Sequence, residues 1–125
     1  MHPLYHAQSS VKKFGGVVED YLPLHQFLDE PKLCMADFRH RALRHHSQGI
    51  FELERIFGVA ITNSHGKQVP TRLIGEQHVR EDLGGVIPTV ADWFRNIRRE
   101  AWMSRGYQLD DTEFNERLRQ ADADR

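Results

Sequence analysis

Residues 37–46 read Asp-Phe-Arg-His-Arg-Ala-Leu-Arg-His-His, and residues 76–82 read Glu-Gln-His-Val-Arg-Glu-Asp. Two short stretches therefore concentrate the side chains that ligate metals and move protons near neutral pH. His78 and Asp82 are four residues apart, so on a helix both reach one point. That spacing suits a metal held by one imidazole and one carboxylate. His45 is the natural third ligand, and His25 or His6 a fourth. Nitrogen and oxygen donors of this kind favour Zn, Mn, Fe or Ni over Ca. A site with three protein ligands keeps one position for a water of lowered pKa. Glu76 is then the candidate general base, and Arg41, with Arg39 and Arg44, the clamp for a phosphate or carboxylate. Such a centre would hydrolyse a phosphoester-type bond in a small phosphorylated substrate.

The same residues have a plainer explanation. Core-facing histidines often only hydrogen-bond to a carboxylate or a carbonyl. Asp37 lies three residues from His40 and four from Arg41, which reads as a solvated salt-bridge face. On that reading the chain is a non-enzymatic binding protein, for example a phage or mobile-element modulator docking on a larger host complex. Metal content of untagged protein separates the two. Other site classes find no support. No GxSxG or P-loop pattern occurs, so no nucleotide cofactor is expected. Cys34 reads as a small buried residue on a helix. Arg95, Arg98, Arg99 and Arg105, with Trp102 and Tyr107 among them, could contact nucleic acid. Pairing with the acidic residues that follow is the better explanation, and nucleic acid is not an expected partner.

The elements that must position these residues belong to a chain of 125 residues, of which 39% are hydrophobic and 28% charged, the profile of one soluble globular domain. The net charge of -1 gives no pull toward nucleic acid or anionic membrane. No apolar run approaches the ~18 residues of a membrane span, and no signal-peptide pattern is present. One cysteine excludes an internal disulfide and fits a reducing, cytoplasmic setting. Residues 1–105 carry +2 and residues 106–125 carry -3. The body is therefore expected to be residues 1–105, with 106–125 a polar acidic tail, partly helical near Asp111–Gln120 or disordered.

Periodicity predicts a mainly helical α+β domain with about five helices and one β-hairpin near residues 59–74. Pro3–Phe14 is helical and ended by Gly15-Gly16. Val17–Leu28 is a second helix, which Pro23 starts or kinks. A long helix is expected over Lys32–Phe57, with Gly49 the place where it would break. At 100° per residue it puts Met35, Phe38, Ala42, His45, His46, Gly49, Leu53, Ile56 and Phe57 on one side. Asp37, His40, Arg41 and Arg44 fall on the other, so His45 points inward and His40 sits among charges. Asn63-Ser-His-Gly66 turns a hairpin whose second strand, with Pro70, is an edge. A helix over Gly75–Leu83 ends at Gly84-Gly85, and Thr89 caps a last body helix over Val90–Trp102.

Several segments also carry a resemblance. They are His6 with Ser9-Ser-Val-Lys-Lys-Phe-Gly-Gly16, Asp20-Tyr-Leu-Pro-Leu-His25 and Arg39-His-Arg-Ala-Leu-Arg-His-His46. Gly75-Glu-Gln-His78, Glu81-Asp-Leu-Gly84 and Ile87-Pro-Thr through Asp92-Trp93 continue it. Over residues 1–102 the chain resembles a family of small uncharacterised His-rich proteins from bacteria and their phages. The resemblance implies such an origin and no particular activity. The Gly84-Gly85-Val86 stretch is one residue longer than the usual spacing, so the end of the His78 helix is the point of departure.

Overall fold

A computed structural model describes residues 1–107 and 111–123, with side chains of the last helix from residue 116 onward. Among the described residues there are seven α-helices and one two-stranded sheet, a mainly helical α+β fold. Helix α1 (Pro3–Phe14) opens on Pro3, whose missing N–H has no intrahelical partner to lose, and His2 Nδ1 accepts the Leu4 N–H at 3.1 Å. Helix α2 (Val18–Asp29) starts where the Asp20 carboxylate accepts the Val17 N–H at 2.8 Å, and it runs through Pro23 without ending. Tyr21, Leu24, His25 and Leu28 follow the i, i+3, i+4, i+7 pattern and are buried, as is Asp29.

The single helix expected over Lys32–Phe57 is in fact four pieces. Glu30–Leu33 and Phe38–His40 are short 3₁₀ turns, α3 (Arg41–Arg44) is one turn, and α4 (Ser47–Phe57) is the only substantial helix among them. The breaks have local causes. Asp37 leaves the helical region (φ -86°, ψ -174°), and its Oδ1 caps the Arg39 N–H at 2.9 Å. His46 is extended (φ -164°, ψ 173°) and its Nδ1 caps the Gly49 N–H at 3.0 Å. A Cβ on Gly49 would lie 1.9 Å from the Arg44 carbonyl oxygen, so the sharp α3–α4 junction requires glycine there. A helical wheel that ignores these breaks misplaces the residues before them. Phe38 is 67% exposed, Met35 is exposed and His40 is buried, each the reverse of expectation. Cys34 is exposed, not buried. Within α4, Gly49 and Leu53 do face inward, but Ile56 is 56% exposed.

Strands β1 (Ala60–Thr62) and β2 (Gln68–Pro70) pair antiparallel, with Ala60 opposite Pro70 and Ile61 opposite Val69. Asn63 Oδ1 holds the turn by accepting from the His65 and Lys67 N–H groups, 3.0 Å each. Helix α5 (Thr71–Leu83) begins directly after Pro70, one turn earlier than expected, and ends at Gly84 in the left-handed conformation (φ 66°). Thr89 and Asp92 cap α6 (Val90–Phe94) reciprocally, as the sequence implies. That helix stops at Phe94, well short of Trp102. Contacts divide the chain into two units, residues 1–93 and 94–125. The apolar core of the first unit is Ala7, Tyr21, Leu24, Leu28, Leu53, Val69 and Ile74. The second contains a 3₁₀ turn, Ala101–Ser104, and α7 (Asp111–Ala123). Within it Arg95 pairs with Asp122, so one arginine of the basic run does meet the acidic segment.

Candidate metal centre

Besides its apolar core, the first unit buries a set of polar side chains. His6, His25, His45 and His78 have no exposure, and His40, Asp29 and the Asp82 side chain have 5% or less. They come from three helices and the broken segment: α1 gives His6, α2 gives His25 and Asp29, and α5 gives His78 and Asp82. The broken segment gives His40 and His45. The α3–α4 junction is what turns His45 inward, and the i, i+4 spacing on α5 stacks His78 with Asp82.

Two imidazole nitrogens each lie near both buried carboxylates. His45 Nε2 lies 2.8 Å from Asp82 Oδ2, 3.2 Å from His78 Nε2 and 3.5 Å from Asp29 Oδ1. His78 Nε2 lies 3.3 Å from Asp29 Oδ1 and 3.3 Å from Asp82 Oδ2. An ion bound tetrahedrally at about 2.0–2.2 Å spaces its donors about 3.3–3.6 Å apart. Most of these separations are already close to such an edge. Three overlapping sets bring one donor atom per residue within 4.8 Å of each other. They are His6–His25–His78, His6–Asp29–His78–Asp82 and Asp29–His40–His45.

The surrounding hydrogen bonds decide which ring nitrogens are free. Gln77 Nε2 faces two acceptors, the His6 carbonyl at 2.9 Å and Glu81 Oε1 at 2.8 Å. Its Oε1 therefore accepts from Ser10 Oγ, at 2.7 Å. With that proton committed, Ser10 Oγ accepts from His25 Nε2–H at 2.8 Å. Neutral His25 then presents a lone pair on Nδ1 to His78 Nδ1–H, at 2.9 Å. His78 Nδ1 being the donor, neutral His78 carries its lone pair on Nε2, aimed at two carboxylates. Lone pair against carboxylate is repulsive, so a cation belongs there: a proton or a metal ion. Both ring nitrogens of His25 are thus taken, and its place is behind His78. His6 also has both nitrogens engaged, with Glu81 Oε1 at 2.9 Å and Asp82 Oδ1 at 3.1 Å. Ser9 Oγ and the Met1 amino group complete the shell, on Glu81 and Asp82.

The electrostatics agree. Burial, with the charges of His78 and His6, pushes His25 down to about 2. Burial also lowers His45, although Asp82 opposes it. Burial would lower His78, but hydrogen bonds to Asp29 and Asp82 outweigh it and raise its pKa. Burial would raise Asp82, yet hydrogen bonds from His45, His6 and His78 hold its carboxyl far below the usual range. Asp29 shifts the same way, mainly through His78 against the cost of burial.

Of the residues singled out from sequence, His6, His25, His45, His78 and Asp82 are brought into this one cluster. Glu76 is not: it lies on another face of α5, 3.8 Å from Arg80, and lines a surface cleft with Ser47, Phe51 and Arg72. The arginine clamp is not assembled either. Arg39 is held by Asp37, and Arg44 donates to the Phe27 carbonyl at 2.6 Å with its guanidinium 4.0 Å above the Phe27 ring. Arg41 is half-buried and contacts none of the cluster's carboxylates by any ion pair among the described residues. Asp29 and His40 are the residues that sequence reasoning missed. Asp29 falls on the same α2 face as His25, at i+4, and that spacing was the available signal. His40 had none, because the helix break that buries it is not visible in periodicity.

The chain belongs to the family described as a domain of unknown function (DUF6915), which matches residues 1–103. No curated protein and no solved structure matches it.

Proposed function

We propose that this member of the family is a metal-binding protein whose ion sits between His45 Nε2, His78 Nε2, Asp29 Oδ1 and Asp82 Oδ2. The observation that carries the reading is His78 Nε2 lying 3.3 Å from each of two buried carboxylates. An ion there replaces the proton that otherwise keeps the pair together. Two imidazoles and two carboxylates are a donor set for Zn, Mn or Fe. Orientation is supplied from behind, since the Gln77–Ser10–His25 chain fixes the His78 tautomer as outer partners of metal-bound histidines do.

Burial argues for a closed centre rather than a hydrolytic one. No ligand side chain is more than 5% exposed, Glu76 is on another face, and Arg39 and Arg44 bind elsewhere. This favours a structural rather than a catalytic ion, one that fixes the fold of residues 1–93. Elemental analysis of untagged protein reconstituted with Zn, Mn, Fe and Ni in turn tests it. One equivalent, lost in His78→Ala, is expected. Protein free of all four metals after reconstitution removes the reading.

A further inference from the structure

Three buried polar atoms of the cluster have no hydrogen-bond partner: Asp29 Oδ2, His40 Nε2 and His45 Nδ1. They belong to three residues whose donors form one set within 4.8 Å. The position proposed above uses Asp29 Oδ1 and His45 Nε2 and leaves His40 unused. A buried polar group without a partner costs about 1–3 kcal/mol, so His40 Nε2 and the second oxygen of Asp29 ask for a ligand; His45 Nδ1, on the other side of its ring from Nε2, does not serve the same ion. His40 is prepared for one. Its Nδ1–H donates to the Asp37 carbonyl at 2.7 Å, which leaves the lone pair on Nε2, 3.7 Å from Asp29 Oδ1. Lys32 Nζ, 3.7 Å from Asp29 Oδ2, is beyond hydrogen-bond reach and neutralises the carboxylate only in part.

We propose that Asp29, His40 and His45 form a second, outer position for a divalent transition metal, through which the ion reaches the inner one. The inference rests on the metal-binding reading above. Asp29 and His45 are common to both positions, so an ion moves inward by exchanging His40 for His78 and Asp82 without ever leaving those two ligands. The chain places His40 suitably for this. It ends the 3₁₀ turn Phe38–His40, and residues 33–39 before it are all exposed, whereas His78 lies on a buried turn of α5 and the Asp82 side chain is 1% exposed. The outer position is thus the one next to solvent.

Rapid mixing of untagged, metal-free, full-length protein with Co²⁺ or Zn²⁺ alone tests the proposal. His40→Gln is expected to bind one equivalent of Co²⁺ with the wild-type absorption spectrum and unchanged affinity. Its rates of uptake and of release to a chelator should both fall about tenfold or more, the scale on which partners just outside a metal site act. His40→Cys, which restores a donor, should recover fast Zn²⁺ loading. His78→Gln should hold Co²⁺ more weakly, with an altered spectrum from the outer set. His40→Asn is read in parallel, so that one misfolded variant leaves the comparison standing. Loading of His40→Gln at the wild-type rate overturns the outer position, as does a loss of equilibrium binding equal to that of His78→Gln. Wild-type protein that takes up neither ion overturns the metal reading itself, a distinguishable result.

Discussion

His25 shows how a residue can matter to a metal centre without touching the ion. It is fully buried, its nitrogens are spent on Ser10 and His78, and its role is to decide which nitrogen of His78 carries the proton. Removing the far end of that chain should therefore weaken the ion without abolishing it. For Ser10→Ala we expect about a 10–100-fold loss of Zn affinity at unchanged stoichiometry, measured by competition with a chelating dye. Unaltered affinity would show that His78 is oriented by packing alone. The same histidines set the pH response of the metal-free chain. His25 and His45 have folded pKa values below the ordinary 6.5, so the unfolded chain binds more protons than the folded one below that pH. Each then removes up to about 1.4 kcal/mol of stability per pH unit as pH falls from 6.5. His78, raised, contributes stability that is complete below 6.5 and is lost only as pH rises above it, so it does not act in this window. Asp82 and Asp29, depressed, add their loss only below about 3.8. Urea midpoints of metal-free protein should fall steadily between pH 6.5 and 4. A flat profile there would mean that the histidines are not held neutral.

At the scale of elements, the decisive one is the junction at His45–His46, where the chain turns instead of continuing a helix. Gly49→Ala puts a Cβ into the Arg44 carbonyl, so the junction must open and His45 must swing. We expect that variant to lose metal binding while helical circular dichroism changes little, whereas Gly84→Ala, past the end of α5 with open space around it, keeps the ion. Equal metal content in both variants would detach His45 from the junction geometry. Leu53 and Ile56 separate the two faces of α4. Leu53→Ala should cost roughly 2–5 kcal/mol and Ile56→Ala less than about 0.5 in denaturant unfolding. Similar values would assign the wrong face. What the sequence revealed divides along the same line. Caps and glycines mark the ends of α1, α5 and the hairpin, because those signals act within four or five residues. His78 and Asp82 were legible for the same reason, being one turn apart. The break between residues 34 and 46 was not. The apolar periodicity runs on through it, and what stops the helix is a cap at Asp37, another at His46 and a carbonyl packed on Gly49. His40 was lost with it, whereas Asp29 was marked by its i+4 spacing from His25 on α2.

For the whole molecule, the question is how a unit of 93 residues tolerates so polar an interior. His6, His25, His45 and His78 are among its largest fully buried side chains, beside Tyr21, Leu28, Leu53 and Ile74. A core so rich in imidazole, with carboxylates beside it, carries desolvation costs that hydrogen bonds only partly offset. An ion that binds the folded chain alone adds RT ln(1 + [L]/Kd), about 2.7 kcal/mol at a hundredfold excess over Kd. Zn should therefore raise the melting temperature in wild type and leave His78→Ala unmoved. Every residue of the centre lies between His6 and Asp82, and the family match stops at residue 103. The tail after Gly106 is net acidic, and its described residues supply none of the centre's ligands. Deleting residues 107–125 should accordingly preserve the fold of residues 1–93, one equivalent of ion, and the ion's effect on melting. Calorimetry of the truncated chain with and without Zn checks all three. If the truncated chain folds but binds no ion, the tail reaches the centre. If it does not fold with or without metal, residues 107–125 complete the structure that holds the histidines, and the domain does not end where the composition changes.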